Sequence, residues 1–406
     1  MRSVVIVDTV RTAQTRSWRG GFNLAHPVAL AAAALEGVVA RAGIRPADID
    51  DVVLGCANPE GAQGGNIARL GAARAGLPVS VPGQVVNRFC GSGLQAIATA
   101  AGMIIAGHAE TVVAGGVESI SAVQDTMNTV RARDPWVQSH LPQSYLPMIE
   151  TAEVVARRYG VTREAQDAYG VMSHHRAAAA QERGLFADEI VPVSVRRALP
   201  VRGQPVPRLV EAVVDQDEGI RADASVEAAA LLAPVLPGGT VTAANASGFA
   251  DGASATVLME ESKAHRDGHA PLGRLLGFAA AGCDPDEMGI GPVLAVPKLL
   301  ARAGLRVEDI GLWELNEAFA SQVLYCRDAL EIPTDRLNVN GGAIAIGHPY
   351  GSSGSRMVGH VLREGRRRSV QHAVVTMCIG GGQGVAALLE VLPGSASDDL
   401  SATTGE

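Results

Sequence analysis

Ala40-Arg41-Ala42-Gly43-Ile44-Arg45-Pro46-Ala47-Asp48-Ile49 returns without a gap as Ala301-Arg302-Ala303-Gly304-Leu305-Arg306-Val307-Glu308-Asp309-Ile310, at an offset of 261 (302 − 41). In both copies an apolar helix ends at glycine, a C-cap signal, and a polar turn leads to an apolar segment. That segment is Val52-Val53-Leu54 in one copy and Leu312-Trp313 in the other. The match is either a duplication or a chance reuse of a common helix–turn–strand phrase. The same offset carries Cys90 onto Gly351, and at both places a glycine/serine turn opens a helical pattern. Gly91-Ser92-Gly93 precedes Leu94, Ile97, Ala101, Ile104 and Ile105, and Gly351-Ser352-Ser353-Gly354 precedes Met357, Val358, Val361 and Leu362. A strand-like run follows each, Thr111-Val112-Val113-Ala114 and Ala373-Val374-Val375-Thr376. These correspondences predict two similar α/β halves, each a mainly buried sheet covered by helices. Packed together, the halves bring their helix-opening loops to a shared centre.

The texture changes over residues 121–250. Pro135, Pro142 and Pro147 punctuate the entry, and a helical stretch runs from Thr151 to Arg183 with a start signal at Thr162. A basic, proline-rich segment follows, with Arg196, Arg197, Arg202 and Arg208 among Pro200, Pro205 and Pro207. This block reads as a lid or ligand-binding insertion in the first half. The chain is thus divided into residues 1–120 and 251–270 (first half), 121–250 (insertion), 271–393 (second half) and a disordered tail, 394–406.

Composition narrows the function. With 47% hydrophobic residues and a mean hydropathy of +0.15, the chain can bury a large core. A net charge of −8 argues against a nucleic-acid partner. Five cysteines without CxxC spacing argue against a disulfide framework or a structural zinc, and fit a reducing, cytoplasmic setting. The Ala-rich run from Val28 to Ala40 is shorter than a bilayer span and is broken by Glu36, so no membrane span is expected. Val4-Val5-Ile6-Val7-Asp8 reads as a strand rather than a signal-peptide core, and Thr404-Gly405-Glu406 is no peroxisomal signal.

Three sites carry chemistry. Cys90, in VNRFCGSG at 86–93, sits at a strand-to-helix junction, where N–H groups and the helix dipole favour thiolate. It is either a nucleophile or a buried core cysteine. His348, in GGAIAIGHP at 341–349, is fixed in a loop that suits a general base. Cys378 precedes Gly380-Gly381-Gly382, whose N–H groups can form an anion nest. That run has neither P-loop nor GxGxxG spacing. His174 and His175 point in different directions from one helix, which argues against a metal site.

These motifs together resemble the thiolase family of acyl-CoA acyltransferases. So do GGVES at 115–119, DEGIR at 217–221, GTVTAANASG at 239–248, MGIGP at 288–292 and NEAFA at 316–320. The resemblance runs from about residue 3 to 392 and implies the five-layered αβαβα thiolase fold, each half βαβαβαββ, with an inserted loop domain. It implies that Cys90 is the acylated nucleophile, His348 its base, and Cys378 the acid/base for the α-proton of acetyl-CoA. Asn316 (through a water, with His348) resembles one oxyanion site, and the N–H groups of Cys90 and Gly380 the other. Arg221 and Ser247 match CoA-contacting positions, and Met148, Met288 and Phe319 fall in motifs expected to meet substrate. Coenzyme A is implied as a substrate, no permanently bound cofactor is implied, and a homotetramer or homodimer is expected.

Three positions depart from the family pattern: Gly91 stands where Ala or Ser is usual, Pro147-Met148 where many acetoacetyl-specific members have His-Met, and Ser352 where Cys or Ala is usual. LPMIETAE at 146–153 and Tyr325-Cys326 lean towards the broad-chain degradative type over acetoacetyl-CoA synthesis. The same motifs also admit a non-catalytic thiolase-like acyl-CoA-binding protein and a ketosynthase-like enzyme. Retention of Cys378 speaks against the latter. Because CoA is polyanionic and the chain acidic, the arginines at 196–208 are the expected suppliers of local positive charge.

Overall fold

The computed structural model describes residues 2–394 except 202, 204 and 205; the tail expected to be disordered lies, from residue 395 on, outside the described residues. The first half runs β1 (Val4–Thr12), α1 (Pro27–Ala42), β2 (Asp51–Gly55), α2 (Ile67–Arg74), β3 (Gly83–Val86), α3 (Ser92–Ile105) and β4 (Thr111–Ser119). The chain then leaves the core for α4 (Met148–Arg158), α5 (Arg163–Glu182) and the hairpin β5 (Val193–Leu199) and β6 (Arg208–Val214). It returns as β7 (Ala250–Glu260). The second half runs β8 (Gly273–Gly282), α6 (Gly291–Ala303), β9 (Leu312–Leu315), α7 (Ala320–Ala329), α8 (Tyr350–Arg367), β10 (His372–Ile379) and β11 (Gln383–Val391).

The repeat is structural. The first half orders its strands β1-β7-β4-β2-β3, and the second β8-β11-β10-β9. In place of a fifth named strand, Leu337 bridges Trp313 in parallel. Thr111 and His372 open equivalent strands, again 261 positions apart. Gly43 and Gly304, which end α1 and α6, both take left-handed φ values of 63° and 68°. The two half-sheets are not separate: β1 and β8 pair antiparallel through Val5–Arg274 and Ile6–Gly273.

Alternation along the strands sets the layers, because successive side chains face opposite sides. Val113 and Val117 of β4 pack with Leu30, Leu35 and Val38 of α1. Val112 and Ala114 face the other way, onto Leu94, Ile97 and Ile104 of α3 and Met357, Val358 and Val361 of α8. The same cluster takes in Val375 and Met377 of β10, while Val374 turns outward to Val296, Leu299 and Val323 on α6 and α7. The order is helix, sheet, central helices, sheet, helix, which is the expected αβαβα architecture.

Two local expectations differ. The stretch Thr151–Arg183 is two helices, because Gly160 takes φ 69° and Thr162 recaps the chain by accepting from the N–H of Ala165 at 3.2 Å. Ile105 lies outside the apolar stripe of α3 and is half exposed.

The central helices meet through glycine. A Cβ added to Gly354 would lie 2.5 Å from the backbone nitrogen of Leu94, which has no freedom to yield. Gly354→Ala should therefore lose ~1–3 kcal/mol by overpacking, outweighing the ~1 kcal/mol helix-propensity gain. Urea denaturation reads this, and a variant as stable as wild type would mean that the helices do not need this close contact.

Candidate active site

A cavity of about 780 Å³ opens between the core loops and the insertion, within the range of small-ligand sites. Cys90, His348 and Cys378 all line it, as do Met148, Arg221, Ser247, Met288 and Phe319. Asn316 and Gly380 stand just behind that lining and reach it through His348 and Cys90, respectively.

Cys90 lies on a tight turn between β3 and α3. Asn87 Oδ1 accepts from the N–H of Phe89 at 2.8 Å. Ser92 Oγ accepts from the N–H of Arg88 at 2.9 Å and donates to the carbonyl of Phe89 at 2.6 Å. These bonds hold Phe89 at φ 43°, a rare conformation for a bulky residue. The N–H groups of Gly380 and of Cys90 itself act on the sulfur and favour thiolate. Burial is the larger effect and, with the charge of Glu118, pushes the thiol up to about 12. The N–H groups favour thiolate, as the sequence suggests, but burial outweighs them and favours the neutral thiol. Gly91 is accounted for by its neighbours, since an added Cβ would lie 2.5 Å from Ile379 Cδ1 and 3.2 Å from Val385 Cγ2.

His348 is 3% exposed, and its ring stands perpendicular to Tyr350, with centroids 5.1 Å apart. Ser353 Oγ donates to the carbonyl of Pro349 at 3.0 Å, so the 2.7 Å contact with His348 Nδ1 is accounted for by Nδ1–H donating to the serine oxygen. Nε2 then keeps its lone pair and accepts from Asn316 Nδ2 at 3.3 Å. Burial and the charge of Arg356 lower the imidazole to about 3. Asn316 Oδ1 is buried with no hydrogen-bond partner among the described residues.

Depression of the His348 pKa has a stability consequence. Between the unfolded value of ~6.5 and the folded value of about 3, the unfolded chain binds a proton that the native state excludes. Native stability should fall as pH drops through that window, with nothing lost from this group above it. For His348→Asn, the dependence of unfolding free energy on pH between 6 and 4 should be shallower by up to ~1.4 kcal/mol per pH unit. Superimposable slopes in denaturant titrations would contradict it.

Cys378, one residue before the end of β10, is 1% exposed, in a cluster with Ala152, Val241, Met288, Ala318 and Phe319. Burial, and then the charge of Cys90, hold its thiol well above the ordinary range. It too rests as a neutral thiol.

Other placements were not evident from sequence. Tyr350 joins the cavity wall beside His348, although nothing in a lone tyrosine after proline announced it. Glu317, noted only as the neighbour of Asn316, accepts from Tyr169 and Ser173 of α5 and from the N–H of Ile344. It thereby ties the histidine loop to the insertion. Glu118 of the GGVES motif is fully buried and accepts from the N–H groups of Ala57, Asn58 and Gly351, joining the two halves beneath Cys90. The basic segment is placed differently from the expectation. Arg196 and Arg208 lie on the β5–β6 hairpin, Arg197 pairs with Glu218 at 3.6 Å, none of these lines the cavity, and Arg202 is outside the described residues. Arg16, Arg19 and Arg221 line it instead.

Comparison with known proteins agrees with this arrangement. Residues 4–262 match the family model "Thiolase, N-terminal domain", and residues 269–391 match "Thiolase, C-terminal domain". The chain is 45% identical to a 3-ketoacyl-CoA thiolase of Bacillus subtilis, over 96% of this chain and all of that protein. It is 43% identical to an acetyl-CoA acetyltransferase of Chromobacterium violaceum, over 95% of this chain and 99% of the relative. The crystal structure of the Bacillus anthracis acetyl-CoA acetyltransferase superposes with a TM-score of 0.86 at 38% identity, covering 97% of this chain and 99% of that one. With the two family models matched over residues 4–262 and 269–391, the chain belongs to the thiolase family.

Proposed function

We propose that the protein is an acyl-CoA C-acyltransferase that cleaves 3-ketoacyl-CoA with CoA, through an acyl-Cys90 intermediate. The observation that carries this reading is that Cys90, His348 and Cys378, drawn from both halves, line one cavity.

Because both thiols rest neutral, the cycle begins with proton transfer. His348 Nε2 takes the proton of Cys90 as the sulfur attacks C3 of the substrate. The C2–C3 bond breaks, its electron pair passes to the acetyl-CoA enolate, and Cys378 protonates the enolate carbon. The Cys378 thiolate takes the proton of the incoming CoA thiol, whose sulfur attacks the acyl group. Cys90 leaves and recovers its proton from His348. The covalent stage divides one difficult carbon–carbon cleavage into two acyl transfers. In the attack step, the N–H groups of Cys90 and Gly380, which lie at the attacking sulfur, stabilise the C3 oxyanion, while Asn316, through a water held at its open Oδ1, and His348 serve the thioester oxygen of the enolate. Losing one such donor costs ~3–4 kcal/mol. Arg221 and Ser247 hold CoA, and Met148, Met288 and Phe319 pack on the acyl end.

CoA is a substrate, and the scheme needs no resident cofactor. The described residues include no helix long and apolar enough to cross a membrane. Five free cysteines suit a reducing compartment, and the cytoplasm is our assignment. A homo-oligomer, dimer or tetramer, fits the sheet-edge strand β3 with exposed Val79 and Phe89 in the loops that flank it.

The deciding experiment is CoA-dependent thiolysis of acetoacetyl-CoA against longer 3-ketoacyl-CoAs. Cleavage of both, with higher kcat/KM on the longer chains, is expected of the degradative type. Activity confined to acetoacetyl-CoA would reassign the protein to acetoacetyl-CoA formation, and no CoA-dependent cleavage at all would reject the enzyme.

A further inference from the structure

The acyl-transfer scheme gives no part to Glu317, although it directly follows Asn316 and is 1% exposed without lining the cavity. Its carboxylate meets four donors. Oε1 accepts from the Tyr169 hydroxyl at 2.8 Å and from Asn338 Nδ2 at 3.1 Å. Oε2 accepts from the Ser173 hydroxyl at 2.7 Å and from the N–H of Ile344 at 3.1 Å. Burial, and then the charge of Glu317, hold the Tyr169 phenol well above its ordinary range, so it stays a donor. A buried carboxylate is tolerated where its oxygens are met in this way.

These donors come from two parts of the chain that the reaction needs in register. Tyr169 and Ser173 stand one turn apart on α5 of the insertion. The next residue, His174, lines the cavity and accepts the N–H of Arg221 at 3.2 Å. Ile344 belongs to the one-turn helix Ala343–Ile346 that leads into His348. This loop lies directly on the carboxylate, since a Cβ added to Gly342 would be 2.5 Å from Glu317 Cδ. Ser173 Oγ also accepts the N–H of Gly342 at 3.1 Å. One residue before Glu317, Asn316 Nδ2 meets His348 Nε2 at 3.3 Å.

The arrangement admits only a group with two acceptor oxygens. Asn338 cannot turn its amide over, because its Oδ1 accepts the N–H of Leu315 at 2.9 Å and its Nδ2 donates to the Leu315 carbonyl at 2.8 Å. The N–H of Ile344 is backbone. Each oxygen of Glu317 therefore faces one N–H that cannot become an acceptor.

We propose that Glu317 is a positioning residue for proton transfer between Cys90 and His348, clamping α5 to the histidine loop and so holding the imidazole against Asn316. The insertion then helps to align the base as well as bordering the cavity. This rests on the reading of His348 as the base for Cys90.

Glu317→Gln keeps the shape but sets an amide N–H against Asn338 Nδ2 or the N–H of Ile344. In thiolysis of acetoacetyl-CoA, kcat should fall about 10²-fold, the scale of a misplacement near 1 Å, with KM for CoA within about twofold of wild type. Tyr169→Phe removes one hydroxyl and keeps the ring. It should lower kcat by less, and should add no loss in the Glu317→Gln background. Alkylation of Cys90 by iodoacetamide is a second readout that needs no thioester. Because a neutral thiol needs a base, Glu317→Gln should be alkylated more slowly than wild type, towards the rate of His348→Asn. Unchanged kcat, a loss carried by KM, additive losses in the double variant, or alkylation at the wild-type rate would each overturn the assignment. Should Glu317→Gln fail to fold, Tyr169→Phe decides alone: lower kcat at unchanged KM with slower alkylation supports the clamp, and wild-type values reject it. Wild-type protein inert toward every thioester would reject the acyltransferase reading, while the alkylation rates would still decide the placement of His348.

Discussion

Cys90→Ser should lower kcat for thiolysis by about 10⁴-fold or more, the scale seen when a covalent nucleophile is removed. The reason lies in proton affinities. His348 is lowered to about 3 and Cys90 raised to about 12, so even the thiol gives up its proton only as the carbon–sulfur bond forms. A serine hydroxyl is far less acidic than a thiol, and the same imidazole is too weak a base to compensate. An oxygen ester also differs in energy from the thioester that CoA must regenerate. Intact-protein mass spectrometry completes the test. Wild-type protein incubated with acetoacetyl-CoA should carry an acetyl group on Cys90, and the variant none. Acylation found on Cys378 would reverse the assignment of the two sulfurs.

Cys378→Ala is the second large effect, and it should divide the reaction. In exchange of label between acetyl-CoA and free CoA no enolate is protonated, so Cys378 never becomes the thiolate that deprotonates CoA during thiolysis; His348 passes the Cys90 proton to the departing CoA sulfur and takes it back, and the exchange should survive. Steps that make or break the bond at the α-carbon need a proton donor and acceptor within the apolar cluster of Met288, Ala318 and Phe319. Those steps should fall ~10²–10⁴-fold, the range for a general acid–base group. Exchange of methyl protons of acetyl-CoA with deuterium reads the step directly. If deuterium enters at the wild-type rate, another base does the work. If label exchange is lost as well, Cys378 supports the nucleophile instead.

How far the site was legible depends on the kind of information each part needs. The αβαβα layering could be read because an offset of 261 relates glycine-capped helices and strands that must each bury an apolar face. Cys90, His348 and Cys378 could be named because each sits beside glycines in short motifs. The protonation state of Cys90 could not be read. A local argument counts the N–H groups beside the sulfur, but the larger effect is burial among groups distant in sequence, with Glu118 adding its charge. The place of the arginines that line the cavity was missed for a similar reason. Residues 196–208 stand out by composition, yet β5–β6 turns Arg197 towards Glu218 and keeps the hairpin off the cavity. Arg16, Arg19 and Arg221 line the cavity instead.

By itself, the amino-acid sequence determined the duplication and the order of elements, because periodicity and backbone caps act over a few residues, and its short motifs named the side chains that we propose react. Only the tertiary structure decided what those groups experience. Asp251, Glu118 and Glu317 are single carboxylates that collect donors from residues up to 234 positions away, and so set the turn at Trp18, the floor under Cys90 and the loop of His348. Burial and charge depend on distance in space, and a linear pattern carries that distance only after the chain has folded.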